Sequence, residues 1–548
     1  MNPKTETIIL RARRIVTMDP ANPVATHAAI RDGRILSVGD LDRVRRYGDA
    51  PVDERFADKV LMPGLVEGHC HVMEGGVWAY PYVGYYDRVD PAGKTWPGLR
   101  DIGGVIERLR AAERGLPPGK PLLAWGFDPI FLGARRMNAA DLDAVSPDRP
   151  ILVMHASFHV LNVNSGLMAR AGIGPDTQVH GVLRDAAGQP TGELQEMAAK
   201  FMALRVAGTE FWRAATMPGA LDRFAASAVR AGVTTVTDLY NELPDETVDA
   251  YRTATADPAF PVRLVPAYNP SGLAPEQAVQ RLAELRTHNT ERLRFGLVKL
   301  MTDGSIQGFT ARLKWPHYFN GRPNGLWNLT PDMLYSYLSA FHRAGFQVHT
   351  HANGDEASEV TLEALERVLA EAPRFGHRHT IQHCQMADAA QFRKMAELGV
   401  CANLFSNHIY YWGDAHYTET MGPDRAEAMD AVGTALAAGV AAAIHSDAPI
   451  TPLAPLFTAW CAMERRTASG RVLGANNRIS RQQALAAITL GAAYTLKLDH
   501  DIGSIQTGKQ ADFAVLEDDP TDDSLPLKEV RVAGTIIGGR YHSAPATG

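Results

Sequence analysis

Residues 62–76, MPGLVEGHCHVMEGG, decide how the rest of the chain is read. An apolar run ends there in His69 and His71, one residue apart. Successive side chains of a β-strand point to opposite faces, so residues i and i+2 share one. Both imidazoles would therefore leave the strand's end together, as a pair of metal ligands does. The reading depends on whether other strands bring matching donors to the same place.

The chain has 548 residues, far beyond the size at which a core needs disulfides to hold it. Its formal net charge of −6 is small for that length, with no basic stripe for nucleic acid and no lysine cluster for an anionic membrane. The opening MNPKTETIIL shows no charged segment followed by an apolar one, so no secretion signal is read and a cytoplasmic location is expected. The most apolar window, AVGTALAAGVAAAI at 431–444, is too short to cross a bilayer and reads as a barrel helix running into a strand. Cys70, Cys384, Cys401 and Cys461 are widely spaced with no C-x-x-C, which is neither a disulfide framework nor a cysteine zinc site. Cys70 and Cys384 each adjoin a histidine, and alternation turns them to the opposite face as small buried apolar groups.

Outward from the histidine pair, short apolar runs alternate with helical segments. Strands are expected within 61–72, 233–240, 261–268, 293–304, 346–355, 378–385, 399–408 and 439–449. Helix-like stretches such as ALDRFAASAVRAG and DMLYSYLSAFHRAG separate most of them. Eight strands with crossover helices form an α/β fold, the (β/α)8 TIM barrel. The gap between residues 72 and 233 is too long for a loop and reads as an inserted α/β subdomain at about 77–230, leaving the barrel's C-terminal face. Both chain ends read as short alternating strands, with Asp-Gly in HAAIRDGRILSVGD as a hairpin signal. Residues 1–60 and 496–548 are thus expected to meet in one composite β-sandwich beside a barrel at 61–495. Two separate β caps are the alternative.

Candidates for chemistry fall at the C-terminal ends of five strands. The first gives His69 and His71, the fourth Lys299, the fifth His349 and His351, the sixth His383, and the eighth His445 and Asp447. Catalytic groups of such barrels sit at this face, drawn from several strands. A lone strand-end histidine says little; an ordered set says far more. With PGLVEGHCH, VKLMTDGS, HANGD, IQHCQ, HSDAP and the tail GSIQTGKQADFAVL, the set resembles the amidohydrolase superfamily, in the amidohydrolase family 3 branch of N-substituted formamide deformylases. WGFDP, LDAVSPDRP and HVLNVNSGLM in the insertion are similar to that branch as well.

The resemblance implies a barrel of the metal-dependent hydrolase type with a binuclear centre, and the donor types suit zinc. His69 and His71 would bind the more buried ion, and His351 and His383 the second. Lys299, carboxylated by CO2, would bridge both: an ammonium cannot bind a cation, whereas a carbamate can. Asp447 would touch the buried metal and move the proton of a metal-activated hydroxide to the leaving nitrogen. His159, in MHASFHVLNVNS, would donate to the substrate carbonyl or oxyanion, with Asn164 at the substrate or simply holding its loop. His155 on the same segment is the comparison residue. Read from the residues alone, Lys299 also fits a plain lysine beside one metal, His349 a competing ligand or a deeper hydrogen-bonding group, and Asp447 a helix cap. Two positions depart from the family's pattern: Glu67, where Asp or Asn is usual, and His445, where many members carry a small residue.

Aromatic residues crowd the loops of the active face: Trp78, Tyr80, Tyr82, Tyr85 and Tyr86 after His71, and Tyr410, Tyr411 and Trp412 after the seventh strand. His408 and His416 lie beside the latter group. Trp78, Trp125, Phe127, Asn164, His408 and Trp412 are expected to contact substrate. Aromatic walls with few charges favour an apolar ligand. The expected reaction is cleavage of a C–N bond in an N-substituted amide, formamide or carbamate with a hydrophobic or aromatic group. The rings could instead pack the insertion on the barrel or form a dimer interface. A cyclic amidine deaminase or an aryl ester or lactone hydrolase is the competing enzyme, and a barrel kept as a binding scaffold is a third reading. Mononuclear deaminases of the superfamily lack the lysine, and a decayed site would lose ligands. The expected partner is a small-molecule substrate, with a homodimer compatible and neither nucleic acid nor membrane involved.

Overall fold

A computed structural model describes residues 7–133, 135–207 and 216–545. Eight parallel strands lie side by side in chain order: Leu65–Glu67, Val233–Asn241, Arg263–Tyr268, Leu297–Met301, Gln347–Ala352, Thr380–His383, Cys401–Leu404 and Ala442–Ile444. Seven fall within the windows expected from the sequence, and Val233–Asn241 runs one residue past its window. Their runs are apolar and buried almost throughout, as parallel strands covered on both faces require. The sheet curls until its edges approach: Asp447 N donates to the His69 carbonyl at 3.0 Å, and His71 N to the Ala448 carbonyl at 2.7 Å. The result is a TIM-like barrel.

Local signals set the helices that cover it. In Pro331–Arg343 the Thr330 hydroxyl caps the Met333 amide, proline opens the first turn, and Leu334, Leu338 and Phe341 bury one stripe. Ala389–Leu398 starts on an Asp388/Gln391 capping box and stops at Gly399, whose φ of +68° is the left-handed helix stop.

The two chain ends share a seven-stranded sheet. Val52–Pro63 pairs antiparallel with Phe513–Leu516, and the same segment runs on into Leu65–Glu67. This terminal sheet is therefore bolted to the first barrel strand, and it encloses a core of its own around Leu10, Ile30, Phe56, Phe513 and Ile536. Between Glu67 and the barrel helix Ala220–Arg230 lies a five-stranded sheet in the order Val182–Arg184, Pro190–Gln195, Val160–Val163, Ile151–His155, Leu122–Phe127. Its helix Glu196–Ala207 and the turn at residues 157–159 reach over the barrel's C-terminal face. All four cysteines are buried and unpaired in disulfides. Among the described residues no helix is long and apolar enough to cross a membrane.

Candidate active site

A cavity of about 360 Å³ opens at the C-terminal ends of the barrel strands. His69, His71, Lys299, His351, His383 and Asp447 line it from the barrel, and Phe158, His159 and Phe201 from the insertion. Strand register sets this convergence. Lys299 pairs with His349, Met301 with His351, and Ala352 with His383; His383 ends its strand, His351 stands one residue before the end of its own, and Lys299 is the middle residue of Leu297–Met301.

The donor chemistry fits divalent cations. His71 Nδ1 lies 2.7 Å from the Leu239 carbonyl, which can only accept, so the ring's proton is on Nδ1. His71 Nε2 lies 3.1 Å from Asp447 Oδ1, and His69 Nε2 lies 3.3 Å from that same oxygen, so three ligand atoms gather at one point. His383 Nδ1, 3.8 Å from Asp447 Oδ2, is buried without a hydrogen-bond partner, as are both ring nitrogens of His445. Each such atom costs about 1–3 kcal/mol, which a bound cation would offset. Two groups, His69–His71–Asp447 and His69–His383–His445, keep their ligand atoms within 4.8 Å of one another. His351 donates from Nε2 to the Gly304 carbonyl at 3.2 Å, leaving Nδ1 as the lone-pair nitrogen of the neutral ring. Imidazole and carboxylate donors are those zinc takes.

Burial shapes the ionisation. It pulls Lys299 down to about 7, with Asp447 opposing, so the neutral amine is accessible near pH 7. It pushes Glu67 up to about 8 against hydrogen bonds from Ser446 N at 3.1 Å, Ser446 Oγ at 2.8 Å and His69 N at 3.3 Å. Burial alone would raise Asp447 too, but His71, His445 and Lys299 outweigh it and hold its carboxyl below the usual range. Phe158, Tyr240, His383 and Asp447, all lining the cavity, have φ between +55° and +74°. Such backbone is uncommon outside glycine and collects at functional sites.

The family model described as "Amidohydrolase family" matches residues 57–541. The chain belongs to the amidohydrolase family. Protein LONG AFTER FAR-RED 3 of Arabidopsis thaliana is 28% identical over 548 residues, spanning 96% of this chain and 90% of the relative. The N-substituted formamide deformylase of Arthrobacter pascens is 25% identical over 544 residues, 95% and 96% of the two chains. The crystal structure of an uncharacterized metal-dependent hydrolase from Pyrococcus horikoshii shares the fold, with a TM-score of 0.72 at 22% identity over 96% of this chain and 100% of that one. The protein is thus a hydrolase acting on carbon–nitrogen bonds.

In this amidohydrolase the insertion delivers a hydrogen-bonded pair to the cavity. His159 Nδ1 donates to Glu196 Oε2 at 2.9 Å, which leaves Nε2 as the ring's other polar edge; the ring centroid is 5.3 Å from that of His351. Burial would raise Glu196, but His159 and Lys200 pull it down to about 2. Asn328 Nδ2 donates to it as well, at 3.0 Å. Gly304 makes room: a Cβ there would sit 2.2 Å from Glu196 Oε1. Glu196 was not among the residues singled out from sequence, and nothing in GELQEMAAK marks it apart from its neighbours. Asp238 had a legible signal, an acid at the end of the second strand. Its carboxylate accepts from Val72 N at 2.9 Å and Tyr251 Oη at 2.6 Å, fixing the turn after His71.

His155 packs inside the insertion, its Nε2 2.6 Å from Asn162 Oδ1, and burial lowers it to about 4. Its folded value lies below the ordinary 6.5, so its contribution to stability is present above pH 6.5 and is lost as pH falls toward 4. Between pH 7 and 4 the wild type should lose about 3 kcal/mol more than His155→Gln. Denaturant titrations of both proteins across that range check it; parallel losses would disprove it.

Of the six expected substrate contacts, His408 lines the cavity and the other five do not. Asn164 is wholly buried; its Oδ1 accepts from Leu167 N and Ile151 N, both at 3.1 Å, so it caps the helix Ser165–Arg170 and holds the loop. Trp125 is 1% exposed, set edge-on to Trp78 at 4.9 Å and beside Tyr82 at 5.1 Å. Phe127 sits in a core with Leu122 and Val153. Trp412 donates from Nε1 to Asp128 at 2.8 Å and stacks on His408 at 4.4 Å. Tyr86 meets Tyr411 at 4.9 Å and donates to its carbonyl at 2.8 Å. The two aromatic loops thus cover each other, joining insertion to barrel. The apolar wall of the cavity comes from other residues: Met73, Phe158, Met197, Phe201, Met301 and Phe405. His416 stands behind His408, its Nε2 3.0 Å from His408 Nδ1.

Proposed function

We propose that this amidohydrolase cleaves the C–N bond of an N-substituted amide, formamide or carbamate whose substituent is hydrophobic, with two divalent ions, zinc by donor type. The observation that carries the reading is the gathering of His69, His71, Lys299, His351, His383 and Asp447 around one cavity with an apolar wall. His69, His71 and Asp447 would hold one ion, His351 and His383 the other, and Lys299 would join both as a carbamate. Forming that carbamate needs a neutral amine: Nζ attacks CO2, one proton leaves to solvent, and an oxygen-donor anion results. Burial supplies the neutral amine.

When bound, such ions would acidify water and polarise a carbonyl. The chain's own residues do the rest. Asp447 accepts a proton on its carboxylate and passes it to the leaving nitrogen. His159, held at Nδ1 by Glu196, donates to the substrate's carbonyl oxygen from Nε2–H in its protonated form. Phe158, Phe201, Phe405 and Met197 receive the substituent and exclude water from it. The formamide end of the range is supported by the name of the Arthrobacter relative.

The test is metal content per chain, on protein purified without chelators, beside a panel of N-alkyl and N-aryl formamides, amides and carbamates. About two ions per chain and hydrolysis within that panel are expected. One ion, with activity confined to cyclic amidines or aryl esters, would overturn it.

A further inference from the structure

We infer that His349 and Gln382 are positioning residues, and that they fix which nitrogen of His69 is offered to the metal. This rests on His69 being a ligand, as proposed above. The carbonyl of Thr495, last residue of the helix Leu490–Thr495, has no further helical turn to accept from. It takes Gln347 Nε2 at 2.8 Å and His349 Nε2 at 3.0 Å. A carbonyl can only accept, so the proton of His349 is on Nε2 and its Nδ1 is a lone pair. Gln382 Nε2 lies 2.7 Å from that lone pair and donates to it. The amide is thereby turned so that Oε1 faces His69 Nδ1 at 2.7 Å, while Asn403 Nδ2 donates to the same oxygen at 3.0 Å. The reversed amide would set oxygen against a bare nitrogen at His349.

Oε1 can only accept, so His69 must donate from Nδ1. Its lone pair is then on Nε2, the nitrogen 3.3 Å from Asp447 Oδ1. His349, Gln382 and Asn403 are fully buried and His69 is 1% exposed, so water does not substitute for a missing partner. His71 donates from Nδ1 to the Leu239 backbone carbonyl directly. For His69 the acceptor is the side-chain carbonyl of Gln382, oriented by His349. Groups that orient a metal-ligating histidine are typically worth 10–100-fold in metal affinity.

The experiment reads the tautomer directly, in metal-free protein labelled with 15N-histidine, by long-range 1H–15N correlation. The His69 signals are identified by their loss in His69→Gln. Wild type should show His69 as the Nδ1–H form. Gln382→Leu should show the Nε2–H form or an exchanging mixture, and its zinc affinity, from chelator competition, should fall about 10–100-fold. Gln382→Glu keeps an acceptor on Nδ1 and should keep the wild-type tautomer. An Nε2–H form in wild type overturns the inference, as does Gln382→Leu with unchanged tautomer and affinity. A wild type that binds no zinc would sink the proposed function instead, and the metal-free spectra would still decide this point.

Discussion

Replacing Lys299 with alanine is expected to take the chain from about two ions to one or none and to lower turnover by at least ~10³-fold. The lysine is 2% exposed in a cavity that offers its charge only Asp447, and burial already brings it down to about 7. A lysine placed for structure would sit with its ammonium satisfied or in water. This one is held where the ammonium is disfavoured and the neutral amine, the form that captures CO2, is favoured. The variant should fold, since exchanging a desolvated amine for a methyl group removes a buried polar group rather than creating one. Metal analysis and steady-state rates on matched preparations check it. Unchanged metal content would make Lys299 structural and move the one-metal deaminase to first place.

Asp447→Asn should lower turnover by about 10²–10⁴-fold, the range lost when a positioned acid–base group is removed. The fold should survive, because asparagine tolerates the left-handed backbone that Asp447 adopts at φ +55°. The amide cannot accept a proton, and it binds a cation more weakly than the carboxylate it replaces, which His69 Nε2 and His71 Nε2 approach at 3.3 and 3.1 Å. The variant should therefore lose most of the stabilisation that zinc confers. Melting curves with and without zinc, beside kcat, separate these effects. Retained turnover would remove Asp447 from the proton's path.

The strands were legible because a buried parallel strand is an apolar run with few alternatives, and the residues that line the cavity from the barrel because residues of one parity near a strand's end share a face. His69, His71, Lys299, His351, His383 and Asp447 could be written down in order before any contact was known. The aromatic residues misled. Trp125 and Trp412 have the composition of a substrate wall, but composition does not say whether a ring faces a cavity or another ring. Trp125 found Trp78 and Tyr82, and Trp412 found His408 and Asp128. Asn164 looked functional and is a helix cap, a role its own sequence (Asn before SGLMAR) also fits.

The sequence by itself determined the barrel, its strand order and the inventory of metal-capable donors, because hydrophobic period and strand parity are local properties. Tertiary structure decided what surrounds those donors: the Glu196 carboxylate on His159, the Phe158–Phe201–Phe405 wall, and the path from Thr495 through His349 and Gln382 to His69. Each is a meeting of segments far apart in the chain. A hydrogen bond's direction depends on what the far partner can donate or accept, and that is fixed only when the chain has folded.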